Sequence, residues 1–103
     1  MSAWTDVGAR DQVDADNPLG VSVGETKIGI YEVDGALYAI DDVCPHAYAI
    51  LTQGFADGCE IECPLHNAVF DVTTGKHLRG EPCSDVRTWP IRITDGGRIE
   101  LQA

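Results

Sequence analysis

The stretch from Cys44 to His66 constrains this 103-residue chain more than any other part of it. It reads CPHAYAILTQGFADGCEIECPLH and begins and ends with two short motifs, Cys44-Pro45-His46 and Cys63-Pro64-Leu65-His66. Sixteen residues separate the two motifs, and each motif offers one thiolate and one imidazole. Four such ligands in two similar loops predict a metal centre, which helps a small domain to fold because it ties distant loops together.

Two kinds of metal centre accept two Cys and two His. A tetrahedral zinc site does so, but zinc motifs usually group Cys with Cys and His with His. In a Rieske [2Fe–2S] cluster two Cys hold one iron and two His hold the other. Because each motif here mixes the two residue types, the pattern favours the iron–sulfur cluster, and zinc is the alternative. The candidate ligands are Cys44 and Cys63 on one iron and His46 and His66 on the other.

The two motifs, followed by Phe70-Asp71 and Thr74-Gly75-Lys76, resemble those of a known family. The family is the Rieske-type ferredoxins of bacterial multicomponent aromatic-ring-hydroxylating dioxygenase systems, and the resemblance extends from about Trp4 to Leu101. It implies a [2Fe–2S] cluster and a one-electron carrier between a flavoprotein reductase and a terminal oxygenase, in aromatic hydrocarbon catabolism. It also implies that the protein is not itself an enzyme. A module related to the small subunit of nitrite reductase is a further alternative; members of that group can lack the ligands, and this chain keeps all four.

The chain is strongly acidic, with a formal charge of −10 from 17 acidic and 7 basic residues. Nucleic acid and anionic membrane surfaces are therefore poor partners, whereas a basic face on another protein is a good one. The alternative is that the charge serves solubility alone. Eight acidic residues lie in or beside the ligand stretch and are candidates for such docking. They are Asp41, Asp42, Asp57, Glu60, Glu62, Asp71, Glu81 and Asp85.

Nothing in the sequence suggests a membrane span or a secretory signal. No apolar run approaches the roughly 18 residues that a span needs, and the first residues lack a basic and then an apolar segment. We therefore expect a soluble, monomeric, cytoplasmic protein.

The rest of the sequence predicts an all-β domain. Alternating apolar residues predict strands, and Asp34-Gly35 is a two-residue hairpin signal because both positions favour positive φ. We expect a Rieske fold over residues 1–103, with an antiparallel β core at about 4–42 and 84–101 and an inserted small cluster-binding lobe at about 43–83. The predicted strands are Trp4–Val7, Leu19–Val23, Lys27–Val33, Ala36–Ile40, Arg87–Thr94 with Pro90 at an edge or bulge, and Arg98–Leu101, with shorter ones near Cys59–Cys63, Val69–Val72 and His77–Leu78.

Other residues receive structural interpretations. Cys59 and Cys83 are expected as small buried fillers, His77 as a surface strand residue, and Tyr48 as packing under its loop. There is no Gly-rich nucleotide fingerprint, which argues against a flavin or nicotinamide site. There is also no spare pair of histidines with a carboxylate, which argues against a mononuclear oxygen-activating iron site.

The resemblance also bears on the reduction potential. High-potential Rieske proteins of respiratory chains have a pattern resembling C-T-H-L-G-C in the first loop and C-P-C-H-G-S-x-Y in the second. The extra Cys form a disulfide, and the Ser and Tyr hydroxyls donate hydrogen bonds towards sulfur. In this chain those positions hold Ala49, Leu65, Ala68 and Phe70. Because donors to sulfur stabilise the reduced cluster, we expect a low potential of roughly −150 to −50 mV, within a family span of about −150 to +300 mV.

Overall fold

The computed structural model describes residues 3–45, 49–65, 67–80 and 82–103. These ranges contain eleven strands and two short 3-10 helices but no α-helix, so the predicted all-β class is confirmed. The strands are β1 (Trp4–Ala9), β2 (Leu19–Val23), β3 (Thr26–Val33), β4 (Ala36–Asp41), β5 (Phe55–Asp57), β6 (Glu60–Glu62), β7 (Val69–Asp71), β8 (His77–Arg79), β9 (Thr88–Trp89), β10 (Ile91–Ile93) and β11 (Arg98–Gln102); the 3-10 helices are Arg10–Gln12 and Leu51–Gln53.

The strands form three antiparallel sheets, with orders β1-β11-β10, β2-β3-β4-β9 and β5-β6-β7-β8. The first two sheets, which we call the base, share a core built around Ile28, Ile30, Ile99 and Leu101. The third sheet lies within residues 55–79, inside the range predicted for the inserted lobe, and we call it the lobe sheet. The exact bounds of the lobe, and the assignment of the whole chain to one domain, stay predictions.

A second core joins the lobe sheet to the base. Tyr31 and Ile40 come from the base strands β3 and β4, while Ile61 and Phe70 come from the lobe strands β6 and β7. Because β3 alternates, Ile30 faces the core of the base and Tyr31 faces the second core. The lobe is therefore packed on the base through apolar side chains.

The hairpin between β3 and β4 is the one that the sequence predicts. Asp34 and Gly35 have φ of 53° and 84°, and Val33 pairs with Ala36 across the turn. Positive φ at both central residues is what a two-residue turn between twisted strands requires.

The predicted single strand Arg87–Thr94 is wrong, because two strands in different sheets occupy this segment. β9 pairs with β4, and β10 pairs with β11. Pro90 lies between them and has no N–H to donate to a sheet ladder. The chain therefore leaves one sheet of the base and enters the other at this proline.

Strand β5 was not predicted. All three of its residues are exposed, so it lacks the alternation of buried and exposed side chains that identifies strands in a sequence. It forms because Phe55, Ala56 and Asp57 pair with β6 across the tight turn at Gly58.

Candidate metal centre

Two loops of the same design carry the cysteines of the predicted centre. The N–H of Cys44 donates to the carbonyl of Ala49 at 2.8 Å, and the N–H of Cys63 donates to the carbonyl of Ala68 at 2.8 Å. Each loop thus runs from a Cys-Pro pair to an Ala five residues beyond the Cys. We call them the first and second cysteine loops.

The structure buries both predicted cysteine ligands in one core. Cys44 and Cys63 are each 1% exposed and belong to the apolar cluster that joins the lobe to the base. A buried thiolate in apolar surroundings is costly unless a cation compensates its charge, and iron does so. The donor chemistry of this pair therefore fits one iron of an iron–sulfur cluster. The predicted imidazole ligands, His46 and His66, lie outside the described residues, as does Tyr48.

The first cysteine loop is joined to the base at Asp42, which is only 3% exposed. Its carboxylate accepts hydrogen bonds from the N–H and the hydroxyl of Thr52, at 2.8 and 2.9 Å. Burial raises the pKa of the Asp42 carboxyl, and the hydrogen bonds from Thr52 oppose that rise. The expectation that Asp42 is a surface docking charge is therefore wrong. Sequence reasoning missed this residue because an Asp beside a second Asp gives no sign of burial.

The second cysteine loop packs against the segment that follows β8. Gly80 has a φ of 86°, and a side-chain carbon at this position would lie 1.9 Å from the carbonyl oxygen of Asn67. Asn67, inside the loop, also has a positive φ of 57°. Only glycine allows so close an approach of two backbones, so Gly80 lets the chain just after β8 lie directly against the second cysteine loop.

The four positions that distinguish high-potential members have different environments. Ala49, Ala68 and Phe70 are buried, the last two completely, whereas Leu65 is 67% exposed at the tip of the second cysteine loop. The two donor positions thus hold apolar side chains in a closed core.

Two further expectations need correction. His77 is half-buried in β8, with its ring edge-on to Phe70 at 5.6 Å between centroids, so it is not a simple surface residue. Its Nε2 is buried and has no hydrogen-bond partner within the described part of the chain. Cys59 and Cys83 are half-buried rather than buried. Among the residues that the structure describes, no group of three or more metal-binding side chains forms.

Comparison with known proteins decides between the two metals. A family model described as the Rieske [2Fe–2S] domain matches residues 3–90. The chain belongs to the Rieske family. It therefore carries a Rieske-type [2Fe–2S] cluster and acts as an electron carrier, which confirms the cofactor predicted from the two motifs.

Similar Rieske proteins include ferredoxin components of dioxygenase systems. The chain is 42% identical over 90 residues to the ferredoxin component of the naphthalene 1,2-dioxygenase/salicylate 5-hydroxylase systems of a Ralstonia species, covering 87% of this chain and 86% of the relative. The solved structure of Sphingomonas yanoikuyae B1 ferredoxin has a TM-score of 0.90 and 31% identity, over 98% of this chain and 99% of that one. A complex of reduced oxygenase and oxidized ferredoxin in carbazole 1,9a-dioxygenase contains a chain with a TM-score of 0.88 and 29% identity, covering 99% of this chain and 94% of that one.

The described residues contain no helix with the length and apolar character needed to cross a membrane.

Proposed function

We propose that this Rieske protein is the ferredoxin component of an aromatic-ring-hydroxylating dioxygenase system. It accepts one electron from a flavoprotein reductase and passes it to a terminal oxygenase. The single observation that carries the proposal is the pair of matched loops, each of which buries one cysteine at 1% exposure. The names of the similar ferredoxins support the oxygenase as the acceptor.

The ligand set that we propose is Cys44 and Cys63 for one iron and His46 and His66 for the other. The burial of the two cysteines and the repeated loop geometry support it. When bound, the cluster supplies storage of one electron. The chain's residues hold it, shield its cysteine side from water and set its potential through nearby charges and hydrogen bonds. Bond chemistry on the aromatic ring, and the choice of substrate, belong to the oxygenase.

Substitution of the histidines tests the ligand set. His46→Ala and His66→Ala should each abolish the rhombic low-field electron paramagnetic resonance (EPR) signal of the reduced mixed-ligand cluster, because no other imidazole replaces them. His77→Ala is the matched control and should keep the signal, since His77 lies outside both motifs and its ring packs edge-on against Phe70. Loss of the cluster in the His77 variant together with its retention in the His66 variant would contradict the assignment.

We further propose that the protein works as a monomer in the cytoplasm. The acidic composition, with a formal charge of −10, supports repulsion between copies and steering towards a basic partner surface. Size-exclusion chromatography with light scattering gives the oligomeric state, and a mass of two chains at micromolar concentration would contradict this proposal.

A further inference from the structure

The carboxylate of Asp42 is a buried charged group to which the proposed ligand set gives no role. Both of its oxygens are used by one neighbour, because Thr52 donates its N–H to Oδ1 and its hydroxyl to Oδ2. A buried carboxylate is costly unless it is hydrogen-bonded, so a pair of this kind indicates a function that outweighs the cost.

The Asp42–Thr52 pair closes the base of the first cysteine loop. Immediately above it, the N–H of Leu51 donates to the carbonyl of Asp42 at 2.7 Å. The next rung is a β-bridge between Val43 and Ile50, and the last is the 2.8 Å hydrogen bond from Cys44 to Ala49. An unbroken antiparallel ladder thus runs from the Asp42–Thr52 pair to the ligand cysteine.

The base of the protein is shaped to hold this pair. Gly20 and Gly29 are cross-strand partners in β2 and β3 and lie beneath the two side chains. A side-chain carbon at Gly29 would lie 2.8 Å from Cγ2 of Thr52, and one at Gly20 would lie 3.0 Å from Oδ2 of Asp42. The N–H of Asp42 also donates to the carbonyl of Lys27 at 2.9 Å. Two glycines facing each other leave the space that the pair fills.

We propose that Asp42 and Thr52 are positioning residues for the cluster: together they fix the first cysteine loop on strands β2 and β3 and so hold Cys44 in its ligating position. The proposal rests on the proposed ligand set. Neither residue belongs to the proposed ligand set; each acts through the backbone ladder that ends at Cys44.

The test compares holoprotein variants for release of iron to a ferrous chelator and for the EPR line shape of the reduced cluster. Asp42→Ala and Thr52→Val should each release iron faster, by about 10- to 100-fold if the loss of metal affinity typical of partners that orient metal ligands falls on the release rate, and should alter the line shape. Thr52→Ser keeps the hydroxyl and should behave as the wild type. Gly29→Ala should reproduce Thr52→Val, because its added carbon would lie 2.8 Å from Cγ2 of Thr52 and 3.1 Å from Oδ1 of Asp42; that carbon would also lie 3.0 Å from Cε1 of Tyr31. Gly20→Ala should have the same effect, and the carbon that it adds would meet only the side chains of Asp42 and Thr52 within 4 Å.

Three control variants test whether an added side-chain carbon, a weakened core or a lost negative charge would by itself change the release of iron. Gly96→Ala adds a carbon whose nearest neighbour is 3.9 Å away, Ile99→Val weakens the core of the base, and Asp95→Asn removes a negative charge from the exposed turn between β10 and β11. All three should keep the wild-type release rate and line shape. If Asp42→Ala does not fold, Thr52→Val and Gly29→Ala decide the outcome.

The proposal is overturned if Thr52→Val and Gly29→Ala keep wild-type values, or if Ile99→Val changes them as much as Thr52→Val does. Cys44→Ala, which removes the donor atom, distinguishes this failure from failure of the ligand set. An unchanged cluster in Cys44→Ala refutes the ligand assignment, whereas loss of the cluster there with wild-type behaviour in Thr52→Val and Gly29→Ala refutes positioning alone.

Discussion

Two fully buried apolar side chains, Ala68 and Phe70, occupy the positions that carry hydroxyl donors in high-potential Rieske proteins. Without those donors the reduced and more negative cluster loses stabilisation. Acidic groups near the lobe act in the same direction, because each disfavours an added electron. A potential near the lower end of the family span, roughly −150 to −50 mV, is therefore expected for the wild type.

Restoring the donors should raise the potential. Ala68→Ser and Phe70→Tyr each add one hydroxyl, and a hydrogen bond of about 0.5–1.5 kcal/mol corresponds to roughly 20–60 mV for a one-electron couple. Phe55→Tyr is the matched control, because Phe55 is 68% exposed on β5 of the same lobe sheet and should leave the potential unchanged. Protein-film voltammetry measures all four proteins. A wild-type midpoint above roughly +100 mV, in the upper part of the family span, would refute the donor argument.

At the residue scale, the sequence predicts the cluster, but it does not reveal the buried residues that fix the first cysteine loop on the base. Ligand type and spacing are local properties, so Cys44 and Cys63 could be proposed as ligands before any fold was known. The burial of Asp42 could not, because it depends on glycines in β2 and β3 that only the folded sheet brings beneath it.

At the scale of elements, the close approach of Gly80, just after β8, to the second cysteine loop can be tested by substitution. Gly80→Ala places a carbon 1.9 Å from the Asn67 carbonyl oxygen and forces a non-glycine residue to a φ of 86°. We expect the free energy of unfolding to fall by about 1–3 kcal/mol, with faster loss of the visible absorption of the cluster on heating. Gly96→Ala is the control in open surroundings. Equal melting temperatures for the two variants would show that the close approach is unimportant.

The elements that can be predicted from the sequence are those whose structure depends on residues close together in the chain. The β3–β4 hairpin follows from the conformational preferences of Asp34 and Gly35, and its structure agrees with the prediction. The change of sheet at Pro90 and the existence of β5 depend on partners distant in sequence or on pairing without burial. The alternation of apolar and polar residues in the sequence therefore predicts neither the change of sheet at Pro90 nor strand β5.

At the scale of the whole molecule, the structure reduces the number of acidic residues that are available to dock on a partner. Asp42 is buried, Asp41 lies 3.1 Å from Arg87, and Glu60 pairs with Arg79, whose guanidinium holds the pKa of Glu60 below its usual range. The carboxylate of Asp71 accepts hydrogen bonds from the N–H and the hydroxyl of Thr73. Glu81 lies outside the described residues. The acids of the lobe most available for a basic partner are therefore Asp57 and Glu62; Asp85 is exposed, but its carboxylate accepts a hydrogen bond from the N–H of His77 at 2.9 Å.

Electron transfer to a terminal oxygenase should consequently depend on salt. The Debye length shrinks from about 10 Å at 0.1 M to about 3 Å at 1 M, so charge steering weakens strongly across this range. Asp57→Asn and Glu62→Gln should slow transfer at low salt and flatten its salt dependence. Asp95→Asn, in the exposed turn between β10 and β11 of the base, removes an equal charge and should have little effect.

Anaerobic rapid mixing of the reduced protein with an oxidised terminal oxygenase, such as that of a naphthalene 1,2-dioxygenase system, tests whether the protein delivers its electron to an oxygenase. The change in visible absorbance reports oxidation of the ferredoxin and reduction of the oxygenase, and it is recorded at several salt concentrations. One electron should leave each cluster for the oxygenase, and the rate should fall as ionic strength rises. A reduced protein that keeps its electron in the presence of every oxygenase tried would contradict the proposed function, and a rate that stays flat or rises with salt would contradict the role of the acidic surface.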